Sequence, residues 1–201
     1  DKVNSLSAQV GFKHDGLSIM NASTRSSHGN AYFTGVFGKK KIVLFDTLVN
    51  DLSPDEVVAV LAHELGHFKL NHVRDGLIRG ILFTGVTFYF LHLLMPLEIF
   101  YKAFHFSAVE PYLALFVFSL WFGLVDFLMN PLETYLSRRN EFAADEFAAK
   151  TLKSSHKLAS ALLKLREKSQ AMPVSHPWFS FFYYSHPPMI ERIDALNKVS
   201  V

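Results

Sequence analysis

Two long apolar runs limit the possible folds of this chain more than any other feature. Residues 77–95 contain one charge, Arg79, and residues 111–125 contain none, with the second run continuing past Asp126 to residue 132. A 19-residue helix is about 28 Å long, close to the thickness of the hydrocarbon core of a bilayer. The alternative is a pair of helices buried in a soluble core, but a 201-residue chain has little else to wrap around them. Residues 77–132 are therefore predicted to form a transmembrane hairpin.

The charges beside these runs predict the orientation of the hairpin. Basic residues lie before the first run and after the second, whereas the loop between the runs has only Lys102. By the positive-inside rule, both polar parts of the chain then lie on the cytoplasmic side of an integral membrane protein. The membrane would be the inner membrane of a bacterium or the endoplasmic reticulum of a eukaryote. The first ten residues are polar, so no signal peptide is expected there.

The other segments predict a mainly α-helical body with a small antiparallel β-sheet. Strand patterns occur at 17–23, 30–37 and 41–46, with a turn at 38–41. Ser53, Pro54 and Glu56 form a helix start with a capping box. Further helices are expected at 132–152, 156–170 and 189–199, whereas 176–188, which holds three prolines, is expected to be a loop packed on the core. Residues 1–76 and 133–201 would together form one domain, interrupted by the hairpin.

Composition excludes several classes of function. The chain has 20 basic and 18 acidic residues, so its formal charge of +2 gives no reason to expect a nucleic-acid partner. It has no cysteine, which excludes a disulfide scaffold and any thiolate metal ligand. A metal in this protein would have to be bound by histidines and carboxylates.

The sequence HELGH at 63–67 is a candidate metal-binding motif in the helix that follows the capping box. His63 and His67 are four residues apart, so they share one helix face and can bind one metal ion. Glu64 lies on the adjoining face and can reach a water on that metal as a general base. His72 is nine positions from His63, about 180° round the helix, and is therefore expected to face away from the metal. His72 is therefore expected to be a bystander near the helix C-terminus.

A catalytic zinc needs a third protein ligand, and Glu141 is the best candidate. Glu141 and Asp145 lie four residues apart on a helix face that otherwise carries alanines, which permit close approach to another helix. Such a pair suits a ligand followed by a carboxylate that orients a ligating histidine. The alternative is that both carboxylates are solvated and pair with basic neighbours, and spacing alone leaves the two possibilities open.

Four segments in this order resemble the catalytic half of the integral-membrane CAAX prenyl protease type 1 family: RSSHGNAYFTGVFGKKKIVLFDTL, EVVAVLAHELGHFKLNH, LSRRNEFAADEFA and YYSHPPMIERIDAL. The resemblance implies a zincin-like metalloprotease domain with one Zn²⁺ per chain. His63, His67 and Glu141 would be its ligands and Glu64 its base.

The resemblance also implies roles for residues around the metal. Asp145 would orient a ligating histidine, His186 would stabilise the oxyanion, and Arg192 would support the site as a partner of these groups. A strand containing Asn30, Ala31 and Tyr32 would pair with the substrate backbone.

These features predict a membrane-associated zinc endopeptidase. Its partners would be the lipid bilayer and a peptide or protein substrate, in particular a prenylated CAAX-type substrate. One alternative is a quality-control protease for misfolded membrane proteins, and an alternative of another class is an inactive zinc-binding scaffold. The family carries further membrane helices before this region, which close a chamber around the site, whereas this sequence has two apolar runs.

Overall fold

A computed structural model describes residues 1–25, 28–34, 40–169 and 175–200 of the chain. In chain order, its elements are α1 (Lys2–Gln9), β1 (Leu17–Met20), β2 (Ala31–Thr34), β3 (Lys41–Phe45), α2 (Asp46–Asp51), α3 (Pro54–Lys69), α4 (His72–Leu94), α5 (Glu98–Lys102), α6 (Pro111–Leu152), α7 (His156–Ser169), α8 (Pro177–Tyr183) and α9 (Met189–Asn197). The prediction of a mainly helical fold with a small sheet is confirmed.

The three strands form a mixed sheet in the order β1-β3-β2. β2 runs antiparallel to β3, as predicted, but β1 runs parallel to it, so the expectation of an antiparallel sheet is wrong for β1. The buried run Ile42, Val43 and Leu44 puts β3 in the centre of the sheet, where β1 pairs with it rather than with β2. The predicted turn at 38–41 and the end of the second predicted strand lie partly outside the described residues.

The core of the body lies between α3, the sheet, α7, α9 and the last turns of α6. α3 begins as predicted: the Ser53 amide donates to the Glu56 carboxylate at 2.7 Å. Glu56 is itself buried and accepts hydrogen bonds from Ser160 and Lys164 of α7. These bonds connect the start of α3, the helix that carries HELGH, to α7.

Helices α4 and α6 form the predicted apolar hairpin. Within the described residues, these two helices are long and apolar enough to cross a membrane. Their large apolar side chains point outward, as at Leu82, Phe88 and Leu120, and a small separate cluster fills the loop end around Tyr101. α6 continues without a break through Pro131 to Leu152, so one helix belongs to the hairpin in its first half and to the body in its second.

The segment 176–188 contains a helix, α8, where a loop was expected. His176 caps the helix, since its side chain accepts from the Trp178 amide at 3.3 Å, and Pro177 takes the first helical position. The carbonyls at the other end accept hydrogen bonds from side chains of α6. Contacts from a distant element therefore stabilise a helix in a proline-rich stretch.

Candidate metal centre

Helices α3 and α6 bring the three predicted ligands together. The Nε2 atoms of His63 and His67 lie 3.1 Å apart, and these two atoms lie 3.6 Å and 3.3 Å from the nearest carboxylate oxygens of Glu141. Zinc–nitrogen and zinc–oxygen bonds of about 2.0–2.1 Å in tetrahedral geometry separate ligand atoms by about 3.3–3.4 Å. The three side chains therefore fit a zinc ion that keeps a fourth position for another ligand.

A glycine allows the two helices to approach so closely. A Cβ atom on Gly66 would lie 3.1 Å from the Cα of Ala144. Ala144 and Ala148 are fully buried on the face of α6 that carries Glu141. Small residues on both helices therefore position a candidate ligand on α6 against two candidate ligands on α3.

Asp145 and Arg192 surround His63 on the side away from the candidate metal position. An Asp145 oxygen lies 2.8 Å from Nδ1 of His63, which leaves Nε2 to face the other ligands. Arg192 donates two hydrogen bonds to Asp145, at 2.8 and 2.7 Å, and its Nη1 lies 3.2 Å from Glu141. Asp145 is 2% exposed, and its charge is balanced by this guanidinium. The contacts bring both residues to the candidate site, and their roles there stay predictions.

His72 contacts the site, so the prediction that it faces away is wrong. α3 ends at Lys69, and Asn71 then adopts a left-handed conformation with φ of 59°. This turn brings His72 back, with its Nδ1 atom 3.0 Å from Nδ1 of His67. Asparagine adopts this backbone conformation more readily than most residues. His72 thus occupies beside His67 the place that Asp145 occupies beside His63.

Glu64 lines the same polar cavity, of about 380 Å³, as the three candidate ligands. Burial raises the pKa of Glu64 above its ordinary value, although His63 and His67 act in the opposite direction. A carboxylate with a raised proton affinity beside a metal position can accept a proton from a water molecule.

His186 lies at the open side of this cavity. Its Nε2 atom lies 3.5 Å from Glu141, its Nδ1 atom lies 3.0 Å from the Ser185 hydroxyl, and its side chain is 67% exposed. An exposed imidazole at this edge can donate a hydrogen bond to a substrate oxygen.

The predicted substrate strand separates into two groups. Asn30 and Ala31 line the cavity, whereas Tyr32 is not among its lining residues and packs edge-on against Phe45. Successive side chains of a strand point to opposite sides, so Tyr32 can offer a substrate its main chain only. In the part of the chain that the structure describes, β2 pairs with β3 alone, which leaves its other edge available.

Sequence reasoning missed two residues that shape this site. One is His72, which the turn at Asn71 returns to the site. The other is Arg138, which donates to the carbonyls of Ser180 and Tyr184 and so supports the segment that carries His186. The tendency of asparagine to adopt the left-handed conformation was a signal for the turn that returns His72, whereas no local pattern indicates the role of Arg138.

Comparison with known proteins gives consistent matches over nearly the whole chain. Residues 1–200 match the model of Peptidase family M48. CAAX prenyl protease 1 of Saccharomyces cerevisiae is 39% identical, over 98% of this chain and 47% of that protein. The CAAX prenyl protease 1 homologs of Oryza sativa subsp. japonica and Homo sapiens are 38% and 33% identical, over 98% and 99% of this chain and 46% and 50% of theirs.

A solved structure has the same fold. The crystal structure of S. mikatae Ste24p superimposes with a TM-score of 0.87 at 35% identity, over 97% of this chain and 49% of that one. The chain thus spans about half the length of the curated relatives and of the solved structure that it matches.

Proposed function

The chain belongs to peptidase family M48, and from this premise we propose that it is a zinc-dependent endopeptidase acting on prenylated, CAAX-type substrates at a membrane. The close approach of His63, His67 and Glu141 is the observation that carries the proposal. The two Nε2 atoms lie 3.1 Å apart, with Glu141 Oε2 at 3.6 Å from that of His63 and Oε1 at 3.3 Å from that of His67, and separations of this size suit the ligands of one tetrahedral zinc. The family resemblance and the names of the relatives support the substrate class.

Each residue of the site has a chemical role in the proposal. Zinc held by the three ligands would polarise the scissile carbonyl and acidify the attacking water. Glu64 accepts the proton of that water and later delivers it to the leaving amine. His186 donates a hydrogen bond to the oxyanion of the tetrahedral intermediate. Asp145 holds His63 in the tautomer that presents Nε2 to the metal, and Arg192 keeps Asp145 charged and in place.

The substrate would bind along β2. The open edge of this strand offers main-chain groups to an extended peptide, and Asn30 and Ala31 lie at the cavity wall. Tyr32 contributes its backbone to the same pairing.

The membrane arrangement follows the sequence prediction. Residues 77–132 would span the bilayer as a hairpin, and 1–76 with 133–201 would form one protease domain on the cytoplasmic side. The outward apolar side chains of α4 and α6, and the common core of the two flanking segments, support this division. The partners would be the bilayer and a peptide or protein substrate.

Substitution of the proposed base tests the mechanism. Glu64→Gln keeps the size of the side chain and removes its basicity, so we expect normal zinc content and a loss of peptide cleavage of about 10²–10⁴-fold. Glu146→Gln is the matched control, because Glu146 is exposed and pairs with Lys150. Unchanged cleavage by the Glu64 variant would overturn the mechanism.

A second assay tests the substrate class. We expect a farnesylated CAAX peptide to be cleaved faster than the same peptide without the lipid and faster than an unfolded protein. Equal cleavage of all three would favour a quality-control protease. Zinc binding without cleavage of any substrate would favour a scaffold, although a structural zinc site has no use for Glu64 and usually has four protein ligands.

A further inference from the structure

The short helix α8 exposes an unusually aromatic surface. Its sequence is PWFSFFY, and Trp178, Phe179, Phe181 and Tyr183 are all exposed, Trp178 to 68%. No Asp, Glu, Lys or Arg occurs between positions 169 and 190. Contiguous exposed apolar surface of this kind marks a contact with another phase or another molecule.

The position of α8 relative to α6 is fixed by side chains spaced one turn apart. Asn130 and Thr134 donate to the carbonyls of Phe182 and Phe181, and Arg138 donates to those of Ser180 and Tyr184. The bonds to Phe181, Phe182 and Tyr184 satisfy carbonyls of the kind that the end of a helix leaves without partners. The Ser180 carbonyl also accepts from the Tyr184 amide. α8 is thereby held beside the part of α6 where the apolar run ends.

The exposed apolar surface of the hairpin continues onto α8 at this level. The Phe182 ring stacks on Phe127 of α6, with centroids 5.3 Å apart. Leu128 and Leu132, which lie one turn apart at this end of the apolar run of α6, are exposed like the apolar side chains earlier in the hairpin. The hairpin and α8 therefore present one continuous surface.

The composition of α8 matches one region of a bilayer. Tryptophan and tyrosine combine an apolar ring with a polar group, and they concentrate where the acyl chains of a membrane meet the headgroups. The uncharged α8 lies directly beside the end of a predicted membrane helix, next to the basic Arg138 and Arg139. We propose that α8 lies in the lipid–water interface and that the bilayer is the partner of its exposed aromatic face.

This inference rests on the proposed membrane insertion of the hairpin and gives it a consequence for the site. His186 follows α8 after two residues, so the wall of the cavity that carries it would be attached to the membrane surface. A substrate held in the same membrane by a lipid would then meet the cleft at a fixed height.

The two tryptophans of the chain allow a direct test. Trp121 lies in the apolar run of α6 and Trp178 lies in α8. In the zinc-loaded protein reconstituted in phosphatidylcholine nanodiscs, Trp121→Phe leaves Trp178 as the only reporter, and Trp178→Phe leaves Trp121. We expect lipids brominated near the headgroup to quench Trp178 several-fold more than lipids brominated deep in the chains. Trp121 should show the opposite order.

The other outcomes separate the two proposals. If Trp121 is quenched by lipid while Trp178 is quenched only by aqueous iodide, the hairpin is in the membrane and the interfacial position of α8 is wrong. If neither lipid nor iodide reaches Trp178, a protein surface covers α8 and the inference is also wrong. If lipid quenches neither tryptophan, membrane insertion itself fails.

Discussion

Helix α6 is built in opposite ways along its two halves. In its first half, Leu120, Trp121 and Leu124 point outward and are about half exposed, whereas its second half buries Glu141 and Asp145 among alanines. One continuous helix thus exposes apolar groups in one region and buries two carboxylates in the other. The difference indicates that the first half of α6 is adapted to an apolar environment and the second half to a packed polar site. Lipid favours apolar groups on the outside, and a metal site can hold charges inside only when they are paired.

Asp145→Asn gives the largest expected effect on the body. The substitution leaves the buried Arg192 without its bidentate partner and removes the carboxylate beside His63. We expect the free energy of unfolding to fall by about 3–5 kcal/mol and zinc affinity to fall about 10–100-fold. Thermal unfolding in detergent and chelator competition measure the two quantities.

Asp75→Asn is the matched control, because Asp75 forms an exposed pair with Arg74. Its expected effect on stability is within about 1 kcal/mol. Equal effects of the two substitutions would mean that the buried network does not stabilise the body.

Leu120→Lys tests the apolar half of the same helix. A lysine near the middle of a membrane helix opposes insertion by about 3 kcal/mol, or more than a hundredfold in the insertion equilibrium. Leu163→Lys in α7 is the control, because Leu163 is similarly exposed but belongs to the body. We expect only the first variant to lose membrane-integrated protein, measured by alkaline extraction of membranes. Similar yields for both variants would contradict the membrane assignment.

Glu56→Gln tests a buried charge in the body that does not belong to the metal site. Burial raises the pKa of Glu56, but hydrogen bonds from Lys164, Ser160 and Ser53 outweigh it and hold the pKa at about 2, below the ordinary value of 4.5. Because the folded-state pKa is depressed, this stabilisation is complete above about pH 4.5 and is lost as the pH falls toward 2.

The variant should lose about 1.5–3 kcal/mol at neutral pH and should show a weaker pH dependence between pH 4.5 and 2. Glu167→Gln, at an exposed position of α7, is the control for charge alone. Identical acid unfolding of wild type and the Glu56 variant would show that Glu56 does not stabilise the α3–α7 contact.

Two helical glycines test packing density in the two regions. A Cβ on Gly66 would meet Ala144 and Phe147 at 3.1–3.2 Å, so Gly66→Ala should cost about 1–3 kcal/mol. A Cβ on Gly123 would have no atom within 4 Å, so Gly123→Ala should be neutral or stabilising by up to about 1 kcal/mol. Melting temperatures of the two variants measure the difference. A gain in stability for Gly66→Ala would show that α3 and α6 are not closely packed.

The parts of the fold that could be predicted have local causes. The capping box marks the start of α3, the apolar runs mark α4 and α6, and helix geometry puts His63 and His67 on one face. The parallel pairing of β1 and the helix α8 could not be predicted, because their partners are distant in sequence: β1 pairs with the buried strand β3, and α8 is held by side chains of α6 such as Asn130. Glu141 was proposed from its spacing with Asp145, but only the packing of α6 on Gly66 brings it to the histidines. The chemical roles of these residues remain predictions.

His72→Phe gives the smallest expected effect and tests the junction of the two regions. His72 is the first residue of α4, yet its imidazole lies 3.0 Å from that of His67, so the hairpin contributes a side chain to the candidate metal site. Removing this hydrogen bond leaves His67 free to rotate, and we expect zinc affinity to fall about tenfold, at the low end for such a partner because histidine is neutral where Asp145 is charged.

His92→Phe, in the last turn of the same helix, is the matched control and should bind zinc like the wild type. His72→Gln should recover part of the loss, because an amide can still hydrogen-bond to the imidazole. Wild-type zinc affinity in His72→Phe would mean that the hairpin does not contribute to metal binding. The apolar hairpin and the candidate metal site would then be independent regions, as the two halves of α6 suggest. A selective loss would instead show that the first helix of the hairpin also orients a metal ligand, so that the hairpin is part of the centre in addition to its proposed role as a membrane anchor.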